Sequence, residues 1–284
     1  MDTSIDRPSF DRYGPAVPDS PVVLSVPHAG RDYPPELLAA LAVPEAALLP
    51  LEDRLADRLA IAARGDETLF VARRPRAWID LNRAEHERDP RIDDGASNAA
   101  APYPSLKVRG GLGLIPRRAS GATPIWRGRW SADAVAARIA ADHRPYHSAL
   151  AAALQAARAR FGIAILLDVH SMPPLPDRPA PQVVIGDRFG RSAGARLVAR
   201  LDAAARAHGV RTALNAPYAG GHILDRHGAP ARDIHAVQLE VDRTLYLDRD
   251  GRTLGQGFAG AAALLRDMAA AVADEATGLA LAAE

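Results

Sequence analysis

Short unbroken apolar runs alternate along this chain with longer stretches in which apolar residues recur every three or four positions. Runs of the first kind read as strands buried on both faces, and stretches of the second kind as helices with one buried stripe. The clearest run spans 161–174, from Phe161 to Pro174, and is bounded by Gly162 and by Pro173-Pro174. It ends in Asp168 and His170, two positions apart. Side chains at that spacing on a strand point the same way, so both polar groups emerge together where the strand gives way to a loop. In open α/β sheets that end of a strand is where ligands bind.

The same pattern predicts further strands at Val22–Val26, Thr68–Ala72, Ala77–Arg83, Gln182–Gly186, Val210–Leu214 and Ala236–Val241. The first runs into Pro27-His28-Ala29-Gly30, the third puts Asp80 and Asn82 on one face beside Arg83, and the last carries Glu240 within an apolar alternation. Helical spacing is read at Leu37–Leu41 and at Leu51, Leu55, Leu59 and Ala62, with Pro50 as the start and Glu52 and Asp53 in the first turn. A helical stretch from Ser131 to Arg160 breaks near Arg144-Pro145, with Tyr146, Leu150 and Leu154 as its buried stripe. Two more helices follow, one through Ala195 and Leu201 and one from about Leu254 to Ala273. Between Glu85 and Pro104 the periodicity dissolves into a long loop, and Asn215 to His222 forms another. The Gly-rich segment 110–117 lacks the Lys and the strand-to-helix setting of a phosphate loop.

Length changes the picture only by bounding it: 284 residues suffice for one large α/β domain, expected over 1–284 with its core at about 20–270. Charge excludes more. With 35 basic against 34 acidic residues the overall field draws the protein neither to nucleic acid nor to a membrane. All the basic residues but Lys107 are arginine, a compositional bias and not an anion-binding design. There is no cysteine, so any metal must be held by His and carboxylates. No stretch approaches the roughly 20 apolar residues of a membrane span, and the N-terminal residues carry no apolar signal core. The expectation is a soluble cytoplasmic protein.

The polar residues gathered at strand ends and in loops are His28, Glu52, Asp53, Asn82, Arg83, Asp168, His170, His222 and Glu240. Two imidazoles and one carboxylate make a catalytic zinc set that leaves a position for water, which the metal acidifies. A carboxylate outside that set can take the proton and pass it to a leaving nitrogen, and an arginine can grip a substrate carboxylate bidentately. These parts describe metal-assisted amide hydrolysis. Plainer roles stand beside them. First-turn carboxylates complement a helix dipole, Asp168 suits orienting His170 better than binding metal, and His147 fits either a core position or the site. His222 reads as a substrate contact or a loop residue, and Arg127 as a second anion contact. No short H-x-x-E-H pattern appears, so spacing alone does not pick the ligands.

Six segments carry a resemblance: Pro27-His28-Ala29-Gly30, Leu81-Asn82-Arg83, Pro145-Tyr146-His147, Leu167 to Met172, Pro217 to Gly221, and Glu240 to Tyr246. In this order, from about Val22 to Leu265, they resemble the N-formylglutamate amidohydrolase family. Asp168-Val169-His170-Ser171 with Glu240, Arg243 and Tyr246 is the most specific part. The resemblance implies a three-layer α/β/α fold with a mixed, mostly parallel sheet, like that of zinc carboxypeptidases and aspartoacylases. It implies one zinc ion on His28 and His170, Glu240 as general base, and Asn82-Arg83 as the pair that grips a substrate carboxylate. Carboxypeptidase-like enzymes carry a ligating Glu three residues after the first His, where this chain has Arg31, so the third ligand is assigned to Asp53, with Glu52 as the alternative. The substrate expected is a small N-acyl amino acid, foremost N-formyl-L-glutamate, cleaved to formate and L-glutamate. A related N-acyl-amino-acid deacylase, a carboxypeptidase-like peptidase, or an inactive binding protein on the same fold are the alternatives. Oligomeric state is left open.

Overall fold

Strands and helices follow in the order β1 (Phe10–Tyr13), β2 (Val22–Val26), α1 (Pro35–Ala40), α2 (Ala56–Ala63), β3 (Thr68–Ala72), α3 (Leu106–Arg109), α4 (Ala132–Arg138), α5 (Arg144–Phe161), β4 (Ala164–Met172), β5 (Val183–Gly186), α6 (Ala195–Ala207), β6 (Thr212–Leu214), α7 (His222–His227), β7 (Ile234–Asp242) and α8 (Phe258–Leu281). They come from a computed structural model, which describes residues 8–96, 105–119, 121, 123–176 and 179–281. The part of the long 85–104 loop beyond residue 96 lies outside the described residues.

Backbone contacts divide the chain into two compact units. The first takes the residues up to Asp11, His28–Glu52 and Val71–Ala149, and the second Arg12–Pro27, Asp53–Phe70 and Leu150–Glu284. All seven strands lie wholly or partly in the second unit and form one sheet in the order β1-β3-β2-β4-β7-β5-β6. The strand pairs β2–β4, β4–β7 and β5–β6 run parallel, and β5 runs antiparallel to β7. The fold is therefore α/β with a mixed, mostly parallel sheet. Its centre is β4, nine residues buried without a break. Gly162, at φ 77°, ends α5 in the left-handed conformation that glycine adopts without strain and turns the chain into that strand. Helix α6 turns Leu197, Val198, Leu201 and Ala205 inward, and α2, α6 and α8 pack on one another and against the sheet.

The first unit is built from turns and short helices around Leu37, Leu48, Ile79, Leu114, Ile125 and Tyr146, all buried. The Arg138 guanidinium lies over Trp78 and Trp130, 3.5 and 3.6 Å from their ring centres. The two rings stand nearly at right angles, 80° apart, and both offer the cation a π surface.

Four expectations from the sequence give way here. Ala77–Arg83 is not a strand but a run of turns, because Asp80 bonds locally: its Oδ1 accepts from Asn82 N at 2.8 Å and its carbonyl from Arg83 N at 3.1 Å. Glu52 and Asp53 are not in a helix. A 3-10 stretch that contains Pro50 ends at Leu51, Glu52 is extended, and Leu55, at φ 58°, interrupts any helical path, so α2 starts at Ala56. Finally, Pro145 does not break its helix. A π-helical turn, Ile139–His143, joins α4 to α5, with Arg144 N bonded five residues back to Ile139 O. Widening the turn accommodates a proline that has no N–H to give and would crowd the carbonyl four residues back. The last helix is also shifted, running Phe258–Leu281.

Candidate active site

In the second unit the sheet register does most of the positioning. Ser25 in β2 pairs with Asp168 in β4, and Asp168 and His170 pair with Gln238 and Glu240 in β7. Register partners on parallel strands share a face, so these five polar side chains stud one face of the sheet at the C-terminal strand ends. All are buried, and none lies free of partners. The Ser25 hydroxyl donates to Asp168 Oδ1 at 2.7 Å, while His170 Nε2 meets Asp168 Oδ2 at 2.8 Å. On the other side of the imidazole, Nδ1 lies 2.9 Å from Asp53 Oδ2. Gln238 Nε2 donates to Glu240 Oε1 at 2.9 Å.

Asp53 is held there by its surroundings. Arg243 Nη2 lies 3.5 Å from Asp53 Oδ1, Arg243 Nε donates to Ser171 Oγ at 3.0 Å, and the Tyr246 hydroxyl fixes the carbonyl of Arg54 at 2.8 Å. Burial works against a charged His170, but the carboxylates of Asp168 and Asp53 outweigh it and hold the ring's pKa well above the ordinary histidine value. The two carboxylates thus make a place that favours positive charge at Nδ1. Tyr218 stands in the loop before α7, its hydroxyl pushed up by burial first and by the charges of Glu240 and Asp53, against the pull of Arg243. That loop is braced by Asn215, whose side chain accepts from Asp187 N and Phe189 N at 3.0 and 3.2 Å. His222 opens α7.

In the first unit the hub is Asp80, fully buried. Its Oδ1 lies 2.7 Å from His28 Nε2 and accepts from Asn82 N, while Oδ2 takes Arg76 Nε at 2.8 Å and faces Arg83 Nε at 3.8 Å. Burial pushes this carboxyl up, yet Arg76, Arg83 and His28 outweigh burial and keep it well below the usual carboxylate range. Asp80 is therefore an anion, and His28 donates to it through Nε2–H. Arg83 is itself anchored, Nε to Leu112 O at 2.9 Å and Nη1 to Asn82 O at 2.6 Å. His143 Nε2 and His147 Nε2 meet the carbonyls of Arg83 and Leu81 at 2.8 and 2.9 Å.

His28, Asn82 and Arg83 thus gather round one carboxylate, and Asp53, Asp168, His170 and Glu240 lie along one sheet face. Glu52 takes the Tyr33 hydroxyl at 2.5 Å. Arg127 is exposed and donates to Leu41 O, and Arg31 donates to Ala29 O. Sequence reasoning assigned no role to Asp80, Ser25 and Gln238. The trace of Asp80 was its place in a dense polar cluster, and that of Ser25 was a lone hydroxyl inside an otherwise apolar buried strand.

A mixed, mostly parallel sheet that carries a buried histidine between two carboxylates defines an α/β protein with a site of the enzyme type. The chain belongs to the N-formylglutamate amidohydrolase family, whose model matches residues 20–247. It is 30% identical over 235 residues to an N-formylglutamate deformylase of Pseudomonas aeruginosa and 32% identical over 241 residues to one of Pseudomonas putida, in each case across 80% of this chain and 82% of the relative. Among solved structures, N-formylglutamate amidohydrolase from Ralstonia eutropha JMP134 superposes with a TM-score of 0.83 at 33% identity, covering 94% of this chain and 97% of that one. A gene product of Agrobacterium tumefaciens, at 20% identity and a TM-score of 0.59, shares the fold.

Proposed function

We propose that this protein hydrolyses the amide bond of N-formyl-L-glutamate, releasing formate and L-glutamate, and that His28, Asp53 and His170 hold one divalent ion, zinc, for the purpose. The observation that carries the reading is the environment of His170. Its Nε2–H is directed to a buried carboxylate, Asp168, while its Nδ1 faces a second one, Asp53. Ligating histidines are characteristically oriented in this way, by a carboxylate on the nitrogen that does not bind the metal. His28 repeats the arrangement with Asp80 on Nε2, which makes Nδ1 its lone-pair nitrogen. Two imidazoles and a carboxylate form a donor set suited to zinc. The covalent chain supports adding His28: it follows Ser25 by three residues, which limits the separation of their Cα atoms to about 11 Å, and Ser25 pairs with Asp168. Asp53 is preferred to Glu52 because Asp53 faces His170 and Glu52 takes the Tyr33 hydroxyl.

What a divalent ion supplies when bound in this set is Lewis acidity, which polarises the formyl carbonyl and lowers the pKa of water. The chain's own residues do the rest. Arg83 and Asn82 hold a carboxylate of the substrate, so that the formyl group is delivered in one orientation. Glu240, in register beside His170, takes the proton from the attacking water as the new C–O bond forms at the formyl carbon. It then gives that proton to the nitrogen as the C–N bond breaks, and the amine leaves neutral. Gln238 holds one oxygen of Glu240 in place, and His222 is a substrate contact of the same reading.

The test is turnover by zinc-loaded protein of N-formyl-L-glutamate against N-acetyl-L-glutamate, other N-formyl amino acids and a dipeptide with a free C-terminus. Formate and glutamate are measured together. Equimolar release of both, with N-formyl-L-glutamate preferred, is expected. Faster turnover of the dipeptide or of another acyl amino acid would reassign the substrate, and full activity without metal would remove the ion from the reaction.

A further inference from the structure

Arg83 and Asn82 sit on a turn, not on a strand, and something has to hold that turn still if it is to read a carboxylate. Two buried histidines of one helix do so. His143 ends the π-helical turn and His147 lies four residues further on, so both project from the same helix face. Their rings are 4.4 Å apart, both fully buried, and their Nε2 atoms reach the carbonyls of Arg83 and Leu81 at 2.8 and 2.9 Å. A carbonyl only accepts, so both rings carry their proton on Nε2. The carbonyl of the residue between, Asn82, is taken by Arg83's own Nη1. Three successive carbonyls, at 81, 82 and 83, are thereby pinned, and the guanidinium is tied to the middle one.

We infer that His143 and His147 are positioning residues for substrate recognition: through the Leu81 and Arg83 carbonyls they fix the direction in which the Arg83 guanidinium meets the substrate carboxylate. The inference rests on the role of Arg83 proposed above. Both imidazoles act through backbone, and neither needs to touch the substrate. The π-helical turn belongs to the device, because it precedes α5 and sets the face that these two residues present. Misplacement of a binding group by about 1 Å can cost on the order of a hundredfold.

The experiment compares His147→Leu and His143→Leu, which fill the space without a donor, with His147→Gln and His143→Gln, whose amide nitrogen stands where Nε2 stood. Steady-state kinetics on N-formyl-L-glutamate are read with melting temperature on the same zinc-loaded preparations. The Leu variants are expected to raise KM about tenfold or more with a smaller change in kcat, and the Gln variants to restore KM to within about threefold. If a Leu variant does not fold, His→Asn, whose shorter amide cannot reach the carbonyl, replaces it. Arg83→Lys, alone and combined with His147→Leu, completes a cycle: if the histidine works through Arg83, adding His147→Leu to Arg83→Lys raises KM no further. Lower melting temperature with unchanged KM, or fully additive effects in the cycle, would overturn the inference. An unchanged KM in Arg83→Lys alone would overturn the reading of Arg83 and the positioning role with it.

Discussion

Replacing Asp168 by asparagine separates charge from shape at His170. The side chain is fully buried, with one oxygen on the Ser25 hydroxyl at 2.7 Å and the other on His170 Nε2 at 2.8 Å. Asparagine of the same outline can keep its carbonyl oxygen towards His170 and turn its NH2 towards Ser25, whose hydroxyl rotates from donor to acceptor. The geometry survives, and what disappears is the negative charge behind the imidazole. A charge-assisted hydrogen bond contributes about 1.5–3 kcal/mol and a neutral one about 1 kcal/mol, so the loss is about 0.5–2 kcal/mol. It falls on the basicity of the ligating ring. Outer carboxylates of ligating histidines are worth about 10–100-fold in metal affinity, or about 1.4–2.7 kcal/mol, an overlapping range. The assay is zinc competition against a chromophoric chelator at fixed pH, with melting of the zinc-free protein alongside. Zinc binding weaker by about 10–100-fold is expected, with the zinc-free protein melting within a few degrees of wild type. Ser25→Ala, which keeps the charge, should stay within about threefold in zinc affinity. Unchanged zinc affinity in Asp168→Asn would refute the orienting role, and complete loss of zinc would instead put Asp168 among the ligands.

Glu240→Gln keeps shape and removes proton acceptance, so zinc content and melting temperature should match wild type while kcat falls by about a hundred- to ten-thousand-fold; near-normal turnover would remove Glu240 as the base. Elemental analysis should find about one zinc per chain in wild type and none in His28→Ala, His170→Ala and Asp53→Ala, whereas Glu52→Ala should retain it; the opposite pattern for the two carboxylates would move the third ligand to Glu52. Asp142 supplies a pH test away from this chemistry. Burial raises its pKa, more than the Trp78 N–H bond, Arg74 and Arg138 lower it. A carboxyl raised in the folded state contributes stability below its unfolded pKa that is lost as pH rises through the folded value. Asp142→Asn, which keeps an acceptor for Trp78 Nε1 at 2.8 Å, should therefore gain melting temperature relative to wild type on going from acid to neutral pH; a constant difference across that range would contradict this.

Much of the fold could be read directly from hydrophobic spacing. The β2, β3, β4, β5 and β7 runs stood out because strands buried on both faces are dominated by apolar residues at both parities, and in β4 the charged ones fall in its C-terminal half. The same rule marked Asp168, His170 and Glu240, since a charge in such a strand needs a partner or an opening. Tertiary structure decided what local pattern cannot encode. Whether 77–83 is extended depends on Asp80 bonding its own neighbours, a competition between side-chain and ladder hydrogen bonds that alternation alone does not register. Release of Asp53 from a helix depends on one left-handed residue, Leu55, a conformation rare for leucine and invisible to periodicity. Continuity across Pro145 depends on a wider turn that absorbs the missing N–H. Above all, register is a long-range quantity. Nothing in the 70 residues that separate His170 from Glu240 specifies that their strands lie side by side in step, yet a slip by one residue would turn one of the two to the opposite face of the sheet.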